Sequence, residues 1–146
     1  MTMQEIVELV RDWDGVFVLT PGPGDGPPEV AWGDSFFYYA PDGKMPTRTQ
    51  PFATIVTKNY PGDELSGLDR DGVYRVNIHP SRASFEHWAA RAGDDLSVLD
   101  RIIVHPVYGQ LGWVAVLNPG PETAETAREL LREAYEQARI RYERRH

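Results

Sequence analysis

The stretch Val73-Tyr74-Arg75-Val76-Asn77-Ile78-His79 changes chemistry at every step. Successive side chains of a strand point to opposite faces. Tyr74, Val76 and Ile78 therefore share one face, and Val73, Arg75, Asn77 and His79 share the other. An apolar face opposite a polar one predicts a strand in a sheet covered by helices on one side. Pro80-Ser81-Arg82 then reads as a turn into a helix capped by Ser81. A cation, an amide and an imidazole thus stand in a row that leads to a helix N-terminus.

Outward from this strand, the other elements follow from local pattern. Residues 2–12 predict a helix, with Ile6, Leu9 and Val10 at helical spacing and Thr2 and Glu5 placed for a capping box. Strands are expected at 16–19, 34–40, 52–57 and 112–117. The segment Asp34-Ser35-Phe36-Phe37-Tyr38-Tyr39-Ala40 is large and apolar on both faces, so it should be covered on both. Pro21 to Pro28 is too rich in proline and glycine for helix or strand. A helix is expected from Ser81 to about Ala92, with Phe85, Trp88, Ala89 and Ala92 as its core face. Residues 96–110 have weak periodicity, and a final helix follows Pro121. The order α-β-β-β-β-α-β-α, with short turns between strands, predicts an α+β fold in a single domain, residues 1–146. Its antiparallel sheet should have about five strands, with helices mainly on one face.

Composition narrows the function classes. The chain of 146 residues has no cysteine, which excludes disulfides, thiolate metal sites and a cysteine nucleophile. Its formal net charge of −7 argues against nucleic acid as a partner. No signal peptide or membrane span is visible, so cytoplasmic residence is the expectation.

Several motifs resemble a known family. Trp32-Gly33-Asp34-Ser35-Phe36-Phe37, Pro51-Phe52-Ala53-Thr54-Ile55-Val56, Tyr74-Arg75-Val76-Asn77-Ile78 and Leu99-Asp100-Arg101 look like segments of the MmcQ/YjbR-like proteins. So do His105-Pro106-Val107-Tyr108 and Gly112-Trp113-Val114. The resemblance spans nearly the whole chain and is greatest to an uncharacterised branch. It implies a CyaY-like (frataxin-like) fold, with helices on one face of an antiparallel sheet and the polar half of residues 73–79 on the open face. The double-wing DNA binding proposed for the wider superfamily does not suit so acidic a chain. Nor do Glu5, Glu8 and Asp12 make a persuasive match to the acidic iron-handling helix of frataxins.

The residues suggest two candidate groups. Arg75, Asn77 and His79 are spaced roughly 6.6–7 Å apart along one strand face. Arg75 and Asn77 suit an anionic ligand, and His79 suits acid–base work near neutral pH. Arg82 would add positive potential at the helix start, and Lys58 would border the same cavity. The alternative is a solvated polar row. In the second group, His105, Tyr108 and Trp113 would line a pocket. Alternatively, Val107, Tyr108 and Trp113 cover the core edge while His105 makes a turn hydrogen bond. The histidines have no usual ligand spacing, so no metal and no cofactor is expected.

The expectation is a small binding protein, monomeric or homodimeric, that recognises an anionic or aromatic small molecule or a protein partner. An enzyme with a histidine acid–base and an arginine anchor is the alternative, and DNA binding is a further one.

Overall fold

The computed structural model describes all 146 residues. In chain order the elements are α1 (Met3–Arg11), β1 (Val16–Leu19), β2 (Ser35–Tyr39), β3 (Ala53–Val56), β4 (Arg75–Ile78), α2 (Arg82–Ala89), β5 (Ile102–Val104), β6 (Val114–Leu117) and α3 (Ala124–Arg145). The fold is α+β, and its antiparallel sheet has the order β1-β2-β3-β4-β6-β5.

The sheet has six strands where about five were expected. The additional one is β5, Ile102-Ile103-Val104, three residues that pair with β6. A run this short completes no period, and His105-Pro106 ends it at once. The sorted strand is shorter than its pattern, Arg75–Ile78 rather than 73–79. The helix after it ends at Ala89, not near Ala92, and its core-face residues are only half-buried.

Period-two alternation places the core. Phe37, Ala53, Ile55, Val76, Ile78, Val114 and Val116 point to one face and pack against Ile6 and Val10 of α1 and Leu130, Leu131, Ala134 and Tyr135 of α3. The capping box of α1 is present, with Glu5 N donating to Thr2 Oγ1 at 3.1 Å and Thr2 N to Glu5 Oε1 at 2.9 Å. Phe85 and Trp88 of α2 edge the same core. Ser81 N and Ser84 Oγ both donate to Glu133 of α3, at 2.6 and 2.8 Å, which ties α2 to α3. All three helices therefore pack on one face.

The opposite face is not open. Arg75 and Asn77 are only 1% and 3% exposed, contrary to the open polar row expected of them. Two connections roof this face: residues 57–72 between β3 and β4, and residues 105–113 between β5 and β6. Val56, Leu68, Ile103, Ala115 and Leu117 form a smaller apolar core there. The first roof is pinned by Asp34, which is fully buried just before β2. Its carboxylate accepts from Thr57 N at 2.9 Å, Thr57 Oγ1 at 2.7 Å, Lys58 Nζ at 3.0 Å and the Tyr60 hydroxyl. A buried carboxylate needs such partners, because unpaired it would lose its hydration uncompensated.

Candidate functional site

Beneath the two roofs lies a cavity of about 520 Å³. Ligand pockets usually measure about 300–1,000 Å³. Its floor is the far face of the sheet: Phe36 and Tyr38 of β2, Thr54 and Val56 of β3, and Arg75 and Asn77 of β4. Tyr60 to Asp63 form one wall, and His105, Val107, Tyr108 and Trp113 form the other.

The polar floor is one connected network. Arg75 Nε donates to Asn77 Oδ1 at 2.7 Å, and Asn77 Nδ2 donates to Thr54 Oγ1 at 2.9 Å. Thr54 and Asn77 are register partners in β3 and β4, so pairing alone brings them together. Arg75 holds Asp63 with both terminal nitrogens, Nη1 to Oδ1 at 2.9 Å and Nη2 to Oδ2 at 2.6 Å. Nη1 also donates to Ser66 Oγ at 3.1 Å. A guanidinium has five N–H groups, and these bonds engage four of them. Burial alone would push the Asp63 carboxyl up, but the bonds and charge of Arg75 hold it below its ordinary value.

The fifth N–H of Arg75 faces His105, with Nη2 and Nε2 3.3 Å apart. The other ring nitrogen fixes the tautomer. His105 Nδ1 accepts from the backbone N–H groups of Val107 at 3.0 Å and Tyr108 at 2.9 Å. Two donors aimed at Nδ1 require its lone pair, so in the neutral ring the proton is on Nε2. Burial, reinforced by the Arg75 charge and opposed by that of Asp63, lowers the imidazole to about 4, so the ring is neutral at pH 7. Arg75 Nη2 and His105 Nε2 are then both donors. They meet at the cavity surface with no acceptor between them.

Aromatic rings surround this point. Tyr108 and Trp113 lie 4.9 and 6.4 Å from the His105 ring. Gly109 lets the second roof press onto β5: a Cβ there would lie 2.3 Å from Val104 Cγ1. Tyr60 spends its hydroxyl on Asp34, and burial together with that bond and charge pushes its pKa up, keeping the phenol protonated.

Five of the eight residues singled out in the sequence line this cavity: Arg75, Asn77, His105, Tyr108 and Trp113. The other three do not. Lys58 turns to Asp34 and to the Trp32 carbonyl. Arg82 is exposed on α2 and pairs with Glu86. His79 lies past the end of β4, stacked on Trp113 at 5.1 Å, in a second cavity. The histidines do not gather, since His87 is exposed on α2. Sequence reasoning did not single out Asp63, Tyr60, Phe36, Tyr38 or Thr54 for this cavity. Once Arg75 is covered its charge requires a carboxylate partner, and Asp63 supplies it.

The arrangement defines a class of protein, a sheet with helices on one face and a roofed, ligand-sized cavity on the other. The chain belongs to DUF6194, a family of unknown function whose model matches residues 1–146. No curated protein and no solved structure matches it. No helix is long and apolar enough to cross a membrane.

Proposed function

We propose that this chain is a small-molecule binding protein. Its ligand has an aromatic or apolar body and an oxygen acceptor, a carbonyl or a carboxylate. The observation that carries the reading is the pair of convergent donors, Arg75 Nη2 and His105 Nε2, which one oxygen can satisfy. Buried donors without an acceptor cost about 1–3 kcal/mol each, so an oxygen there recovers that cost. Tyr38, Tyr108 and Trp113 supply flat apolar walls for a ring. The same geometry speaks against His105 as a general base, because its one lone pair is spent on Val107 and Tyr108. Action in the cytoplasm as a monomer or homodimer belongs to the same proposal. Motif resemblance and one-sided helix packing support kinship with the MmcQ/YjbR-like proteins; an experimental structure that superposes on theirs strand for strand would test it.

A thermal-shift screen of aromatic acids, amides and ketones tests the binding reading. Hits should raise Tm and lose their effect in His105→Phe, which removes the Nε2 donor. Tyr108→Ala keeps the ring bonds of His105 and removes only a wall, so it should weaken the same hits. Absence of hits, or hits indifferent to both changes, would refute the assignment.

A further inference from the structure

The second cavity, about 450 Å³, opens at the C-terminal end of α3. Its charged and titratable lining groups are Arg48 and Tyr39, His79, and Arg141, Tyr142 and Arg145 of α3; no carboxylate is among them. This is a marked local reversal in a chain with 22 acidic residues and 15 Lys and Arg. None of the three arginines forms an ion pair, although their neighbour Arg139 is held by Glu136 and Glu143. Arg141 lies within the influence of Arg145, and His79 within that of Arg141. Burial and the Arg145 charge lower the ionisation of Arg141, and burial and the Arg141 charge lower that of His79, against a hydrogen bond to Leu111 that raises it. Uncompensated like charges in a concave site are relieved by an anion.

We propose that this second cavity binds the phosphoryl group of a small phosphorylated molecule, with Arg48, Arg141 and Arg145 as its ligands. A phosphoryl group has about −1.5 to −2 charges and three acceptor oxygens at pH 7, which matches three guanidiniums better than a carboxylate does. The stacked pair His79 and Trp113 forms an adjoining flat wall for the rest of the molecule. The site uses neither Arg75 nor His105, although Trp113, Gln50 and Pro51 border both cavities.

The test is calorimetric titration of the full chain with inorganic phosphate, pyrophosphate and phenyl phosphate, with benzoate as the comparison. Saturable binding of the phosphates is expected, weakening as salt is added. The double change Arg141→Ala, Arg145→Ala removes two of the three proposed ligands and should weaken binding at least about tenfold. It should leave ligands of the first cavity untouched. The His79 ring signals in NMR should move on binding, and their titration should shift to higher pH as the Arg141 charge is offset. The proposal fails if no phosphate saturates, if the double variant binds equally well, or if benzoate matches phenyl phosphate. Displacement of phenyl phosphate by duplex DNA would also overturn it, in favour of a nucleic-acid surface.

Discussion

Asp63→Ala tests whether the cavity floor is a buried ion pair that the fold depends on. The Arg75 side chain is 1% exposed and Asp63 is 13% exposed. Removing the carboxylate strips Arg75 of two charge-assisted bonds, at 2.9 and 2.6 Å, and leaves only Asn77 and Ser66 as acceptors. A guanidinium cannot shed its proton to escape, so the charge stays buried and unpaired. Breaking a buried pair from one side costs about 3–5 kcal/mol, against a total stability of about 5–15 kcal/mol for a typical domain. With a urea slope of about 1–3 kcal/mol per molar, the unfolding midpoint should fall by at least about 1 M. Tryptophan fluorescence in urea at pH 7 measures it. Asp63→Leu combined with Arg75→Met removes both charges and should recover much of the loss, because an apolar pair needs no solvation. The pH dependence has a definite sign. The folded carboxyl lies below its unfolded value of 3.8, so its contribution is whole above 3.8 and disappears as pH falls through the folded value. A cost below about 1 kcal/mol for Asp63→Ala would place the pair among solvated surface bridges and refute the reasoning.

Three further outcomes follow from the same geometry. His105, at about 4 when folded and 6.5 when unfolded, should make stability whole above 6.5 and lower it by up to about 3 kcal/mol as pH falls to 4; urea midpoints across that range measure it, and a flat profile contradicts the buried neutral ring. Asp100 accepts from Gly120, Glu122 and Thr123 N and from Thr123 Oγ1, so Asp100→Ala should cost about 2 kcal/mol in thermal melts. Asp100→Asn should cost less, since asparagine tolerates the residue's φ of 56° and keeps an acceptor. Gly109→Ala drives a methyl against Val104 and should cost about 1–3 kcal/mol; Val104→Ala in the same chain should restore part of it, and equal melting of Gly109→Ala and the parent would show that the roof does not press on β5.

What the sequence disclosed and what it hid differ in range along the chain. The Thr2–Glu5 box spans three residues, and the alternation of Tyr74, Val76 and Ile78 is contained in one strand, so local pattern suffices for both. The α+β class follows from such patterns placed in order. The roof depends instead on distant partners. Asp34 holds Thr57, Lys58 and Tyr60 across 23 to 26 residues, and Arg75 meets His105 across 30. No period in the sequence encodes those distances. A polar row on a strand is compatible with solvent or with a roof, and alternation cannot distinguish them. The deciding information is whether the row's charge has a dedicated counter-charge. Water can solvate an arginine on an open face, whereas a covered one must find a carboxylate within hydrogen-bond reach. Asp63, twelve residues before Arg75 and next to the turn glycine Gly62, answers that requirement. The candidate site is therefore legible in part: its cation, amide and aromatic walls stand out as residue types, whereas the donor pair emerges only once the roof fixes the His105 tautomer.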